Sequence, residues 1–138
     1  MCTDTFLRLP EEKRNRFLQA AWEEFTTASF AEASINQIVR RARVPRGSFY
    51  QYFLDKWDLF SDLMGLIRDH FEEEFRKLSI QSDGDLFRTI PLCYDRFVQH
   101  GPAADPLFER CLRILRLNSG LFLQLMLSDP PDHHCFLE

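Results

Sequence analysis

An all-α protein is what this 138-residue sequence predicts, on three observations. Glycine and proline are sparse, at five and seven residues, so few positions interrupt regular structure. Strand-like alternation is missing. Apolar residues recur instead at spacings of three and four, the period of one helix face. Hydrophobic residues make up 45% of the chain, enough to build the core of one domain, or of one small domain with a second cut short.

The first helix starts at Pro10-Glu11-Glu12, with proline early and acids in the first turn. It carries Phe17, Ala21 and Phe25 at i, i+4 and i+8, with Leu18 and Trp22 beside them, and fades over residues 26–30. Ser34 opens the second helix as N-cap, and Ile35, Ile38, Val39 and Ala42 form its buried stripe. Pro45 cannot continue that helix but suits the first turn of a third, residues 45–53. Asp55 then caps a long fourth helix over residues 56–78. A polar turn at 81–85 leads to a fifth, 86–100, expected to point Phe87, Ile90, Tyr94 and Phe97 inward. The turn at His100-Gly101-Pro102 separates it from a sixth helix, 106–117, and a short seventh is expected from Asn118 to residue 127.

Charge is uneven along the chain. Residues 1–56 hold nine Lys/Arg and seven Asp/Glu, whereas residues 57–138 hold eight and fourteen. Within residues 34–56 five bases (Arg40, Arg41, Arg43, Arg46, Lys56) face one acid (Asp55). A basic patch at one end of an acidic chain suggests a polyanion site, and a solvated helix face is the plainer alternative.

Other function classes find little support. The histidines His70, His100, His133 and His134 have no nucleophile at catalytic spacing, so no enzyme is expected. Glu72-Glu73-Glu74 reads as a solvated helix face. His133, His134 and Cys135 offer metal-type ligands but no evident fourth, so neither a metal nor a cofactor is expected. The stripe Arg110, Arg113 and Arg116 on the sixth helix reads as solvated or paired. The longest apolar run, near residue 121, is far short of the roughly 18 residues a membrane span requires. The four cysteines, Cys2, Cys93, Cys111 and Cys135, have no CxxC spacing and are expected to be reduced. With no signal-like apolar run in residues 1–10, a cytoplasmic protein is expected.

The stretch "VPRGSFYQYFLDKWDLF" (44–60) gives the positive signal. Two short helices joined by a tight turn read as a helix-turn-helix. On a wheel of about 100° per residue, Phe49 and Phe53 share the inner side of the third helix. Gly47, Ser48 and Gln51 fall opposite, with Tyr50 and Tyr52 on the flanks. Gly47 permits close approach, and Ser48 and Gln51 can bond base edges. Arg46 suits guanine or a phosphate. The hydroxyls of Tyr50 and Tyr52, Lys56 with the start of its helix, and Ser34 at the start of the second helix suit phosphates. Each residue also has a plainer reading, as half-buried tyrosine, packing glycine, helix cap or solvated charge.

Residues 25–59 resemble the N-terminal DNA-binding domain of the TetR family of bacterial transcriptional regulators. The resemblance rests on Ala21 and Phe25, on "SINQIV", and on "ARVPRGSFYQYFLDKWDLF". It implies a three-helix DNA-binding domain over residues 1–55, then a helical ligand and dimerisation domain over 56–138, short relative to the family. It places Ser34, Tyr50, Tyr52 and Lys56 at phosphates, and Pro45, Arg46, Gly47, Ser48 and Gln51 facing base edges. The implied partners are double-stranded DNA with an inverted-repeat operator, a small-molecule effector and a second copy of the chain, with no membrane. Repression is the family's usual sign of control. Phe71, Phe75, Phe87, Tyr94, Phe97 and Phe108 either line an effector pocket or are simply core. The chain departs from the family at Ser29 and Arg43, where glycine is preferred, and at Tyr52, where histidine is usual. A helical protein-interaction module that kept the helix-turn-helix only as a core is the alternative.

Overall fold

Two helix starts in this chain are capped by an aspartate side chain. The Asp55 carboxylate accepts the Asp58 N–H (2.8 Å), and Asp105 accepts those of Leu107 and Phe108 (both 3.0 Å). These side chains satisfy amides that a helix start leaves without partners. Pro10 and Pro45 do the same job by lacking an N–H and fixing φ. Pro45 is the N-cap of its helix rather than its first residue, at φ −60° and ψ 148°.

The computed structural model describes residues 2–98 and 105–118, and every regular element among them is a helix. In order they are α1 (Asp4–Leu7), α2 (Glu11–Thr27), α3 (Ile35–Ala42), α4 (Arg46–Tyr52), α5 (Lys56–Gln81), α6 (Leu86–Val98) and α7 (Pro106–Leu117). The expected turn at His100-Gly101-Pro102, the helix beyond Asn118 and the tail with His133, His134 and Cys135 lie outside the described residues. None of the described helices is long and apolar enough to cross a membrane.

One core runs through the helices. Phe17 and Phe25 of α2, Ile38 of α3, Phe49 of α4 with Phe53, and Leu59, Phe60, Leu63 and Ile67 of α5 are all buried in it. Ile114 and Cys111 of α7 join the same cluster, so the later helices fold back on the helix-turn-helix. The stack is aromatic: Phe17 lies parallel to Phe53 at 5.8 Å, and Phe25 meets Phe60 edge-on at 5.0 Å. Trp57, expected to anchor α5, packs edge-on against Phe30 yet stays partly exposed.

Three features depart from the sequence reading. First, α1 precedes the expected first helix and buries Phe6 among Phe17, Tyr52 and Phe53. Second, Cys2 is disulfide-bonded rather than a free thiol, while Cys93 and Cys111 are free. Third, Phe87, Ile90 and Tyr94 of α6 face outward, and Phe87 is 91% exposed. Phe97 of that stripe packs its ring on Phe71 of α5 and Phe108 of α7. Near its start α6 packs on α5 around Thr89, which is buried and whose hydroxyl bonds Ser82. The six residues expected near an effector therefore split. Phe71, Phe97 and Phe108 form a packed trio, while Phe75, Phe87 and Tyr94 are exposed.

Candidate nucleic-acid interface

The turn between α3 and α4 is made by Arg43, which closes α3 in the left-handed conformation (φ 56°, ψ 45°). The Val44 N–H returns to the Val39 carbonyl at 3.0 Å, so the helix end is satisfied in the way glycine usually permits. Arg16 of α2 donates to the Ala42 carbonyl at 2.8 Å and pins the same end. Ser29, the other position where glycine was expected, has no positive φ.

A buried glutamate holds α3 against α2. Glu24 accepts the Ser34 N–H (2.9 Å) on one oxygen and the Arg41 guanidinium (2.6 Å) on the other. Ser34 does occupy the N-cap position of α3, but its hydroxyl makes no capping bond. Arg41 is thereby withdrawn from the basic patch. Lys56 is engaged too: its ammonium donates to the carbonyls of Phe30 (2.6 Å) and Ala33 (3.0 Å) and lies 4.7 Å above the Phe30 ring. Among the described residues, Arg40, Arg43 and Arg46 remain exposed with no ion pair.

α4 divides as its wheel predicts. Phe49 is fully buried, while Arg46, Gly47, Tyr50 and Gln51 are exposed and Ser48 is half-buried. A Cβ built on Gly47 would meet no atom within 4 Å. The fold itself therefore makes no demand for glycine there. Tyr52 sits deeper than a flank position, packed on Phe6 and Phe17. Its hydroxyl has no partner among the described residues and is not among the buried unpaired groups, so it emerges at the surface.

The far end of α4 is tied down from the start of the chain. The Thr3 N–H donates to the Tyr52 carbonyl (2.9 Å) and the Thr3 hydroxyl to the Gln51 carbonyl (2.5 Å). The Cys2 N–H donates to Asp62, buried in α5 (2.9 Å). This segment and Glu24 were not foreseen as parts of the site. Glu24 left a trace in the sequence, as a charge seven residues after Phe17 on the apolar face of α2. The α1 strap left none, because residues 3 and 52 meet only in three dimensions.

Comparison with known proteins turns this geometry into a family. The model of the bacterial regulatory proteins of the tetR family matches residues 17–63, which run from α2 into α5. The uncharacterized HTH-type transcriptional regulator YdgC of Bacillus subtilis is 37% identical over 49% of this chain and 33% of its own. HbdR of Aromatoleum sp., also an HTH-type transcriptional regulator, is 36% identical over 49% of this chain and 29% of its own. A crystal structure of a TetR family transcriptional regulator from Chloroflexus aurantiacus superposes with a TM-score of 0.50 at 25% identity, over 90% of this chain and 63% of that one. Residues 17–63 form a TetR-type domain.

The transcriptional regulator AcuR of Cereibacter sphaeroides carries the likeness further, at 30% identity over 69% of this chain and 43% of its own. The chain spans between 29% and 43% of the length of those curated relatives. Beyond the matched helices, α5, α6 and α7 meet at one polar clasp. Asp105 accepts from His70 of α5 (2.6 Å) and pairs with Arg96 of α6 (3.4 Å), which also binds Glu74 of α5 (3.0 Å). Burial pushes the Asp105 carboxyl up, but the Phe108 N–H, His70 and Arg96 outweigh it and leave it below the ordinary 3.8. α7 also touches the TetR-type domain directly, with Arg110 stacked over Trp22 at 5.0 Å and Asn118 accepting the Phe30 N–H at 2.7 Å.

Proposed function

We propose that this chain is a sequence-specific DNA-binding transcriptional regulator that lays α4 in the major groove. The single observation that carries the reading is Gly47: an exposed helical glycine with open space around it, flanked by Arg46, Ser48 and Gln51. Glycine in a helix costs about 1 kcal/mol relative to alanine, so a position that does not need it internally has a reason outside the molecule. Close approach of a base-pair edge supplies one. Pro45, Arg46, Gly47, Ser48 and Gln51 form the base-facing side. Ser34, with its hydroxyl free of a cap, and the surface hydroxyls of Tyr50 and Tyr52 take phosphates. Lys56 acts through charge at the start of α5, since its donors are held by the Phe30 and Ala33 carbonyls. The finer reading is an effector-responsive repressor working as a homodimer on an inverted repeat, with residues 1–55 reading DNA and 56–138 regulating. The family likeness supports it.

Selection from random duplex DNA at near-physiological salt tests the proposal. An enriched inverted repeat supports a dimeric regulator, and a lone half-site supports the reading helix without the dimer. No enrichment overturns the proposal in favour of a protein-interaction module.

A further inference from the structure

Phe30, in the connection between α2 and α3, is gripped at both poles of its backbone. Its N–H donates to the Asn118 side-chain oxygen at 2.7 Å, and its carbonyl accepts the Lys56 ammonium at 2.6 Å. Its ring lies among those of Phe25, Trp57 and Phe60, with centroids 6.4, 5.4 and 5.1 Å away. Two more bonds hold the same connection, from Lys56 to the Ala33 carbonyl (3.0 Å) and from the Ser34 N–H to Glu24 (2.9 Å). Glu24 and Lys56 lie inside residues 17–63. Asn118 does not: it is the C-cap of α7, 88 residues from Phe30. Its side-chain amide is held in place by its own helix. Asn118 is buried, and its Nδ2 donates to the Ile114 carbonyl at 2.9 Å. That bond assigns the oxygen, rather than the nitrogen, to face Phe30. A buried polar group with both functions engaged is rigid, and it fixes what it bonds.

We propose that Asn118 is a positioning residue for DNA binding. By accepting the Phe30 N–H it fixes the loop that leads into α3, and so sets the Ser34 hydroxyl against a backbone phosphate. The inference rests on the reading of Ser34 as a phosphate contact and adds the residue that holds it there. Between Phe30 and Ser34 the turn is closed, because the Ser29 carbonyl accepts the N–H groups of Glu32 (3.1 Å) and Ala33 (2.8 Å). A shift at Phe30 is therefore carried to Ser34. The Ser34 hydroxyl makes no capping bond, so no local contact of that group restores its place. Hydrogen bonds weaken steeply as their angle departs from the ideal. Phosphate contacts fix register without reading sequence, so loss of Asn118 should weaken binding to every sequence alike.

A double-mutant cycle on the full chain tests this, with wild type, Asn118→Ala, Ser34→Ala and the double variant. Fluorescence anisotropy measures affinity for the duplex enriched by selection and for single-base-pair variants of it. Ile114→Val, which thins the same end of α7 without touching Phe30, is the control for lost stability. Thermal denaturation checks that each chain is folded at the assay temperature. Exchange of the Ser34 amide hydrogen adds a readout that needs no DNA. The expected result is an affinity at least about fivefold lower in Asn118→Ala, by the same factor on every duplex. Adding Asn118→Ala to Ser34→Ala should bring no further loss. The Ser34 amide should exchange at least about fivefold faster in Asn118→Ala, and at the wild-type rate in Ile114→Val. Additive losses in the cycle, an equal loss in Ile114→Val, or unchanged Ser34 exchange overturns the proposal. A wild type that selects no DNA overturns the functional reading and this inference with it. Additive losses in a chain that does bind its selected duplex overturn this inference alone.

Discussion

Gly47 sets local stability against the proposed task. Alanine there meets no neighbour, and it should stabilise α4 by up to about 1 kcal/mol. The same methyl group would stand between the helix and a base edge. Gly47→Ala should therefore melt at a higher temperature and bind the selected operator at least tenfold more weakly, measured by thermal denaturation and fluorescence anisotropy. Unchanged affinity would remove Gly47 from the contact. Arg43 presents the reverse trade. Its left-handed backbone costs roughly 1–2 kcal/mol over glycine, and its charge is one of three in the basic patch, with Arg40 and Arg46, that form no ion pair among the described residues. Arg43→Gly should gain stability and weaken nonspecific DNA binding, reducing the salt slope by about one. Identical melting together with an identical slope would rule this out. At Ser29 no such gain is expected, because its φ is ordinary.

Among the elements, the Asp105 clasp joins α5, α6 and α7 and caps the last. Its carboxyl is lowered in the fold, so it adds stability at pH above the ordinary 3.8. That contribution is lost as pH falls through the lower folded value. Asp105→Asn should cost about 1–3 kcal/mol at neutral pH, since Asp105 is buried and serves several donors. The variant's stability should also change less than the wild type's on acidification. Denaturant titrations at neutral and acid pH check both, and parallel curves would show that Asp105 is not the titrating group. Asp105 as cap of α7 went unread, although the boundaries of α7 followed from Pro106 and the apolar spacing. The helix-turn-helix was legible because its pattern is local: Phe49 inward, Gly47 outward, proline at the turn. The α6 stripe misled for a physical reason. Periodicity says that Phe87, Ile90 and Tyr94 share a face, and it is silent on what that face meets.

On the scale of the whole molecule, the core ignores the boundary that the family pattern suggests. Ile114 of α7 shares a cluster with Phe25 of α2 and Phe60 of α5. Phe6 does the same from the other end of the sequence, and no local pattern in residues 1–10 announced it. The α1 strap bears on how the reading unit can be handled. Residues 17–63 are what the family model recognises, yet the last carbonyls of α4 are held by Thr3, and the floor beneath Tyr52 and Phe53 is Phe6. An excised 17–63 module would carry every side chain proposed to face base edges without the brace that sets their angle. Grafting this specificity onto another scaffold therefore means transplanting a discontinuous unit that begins at Cys2.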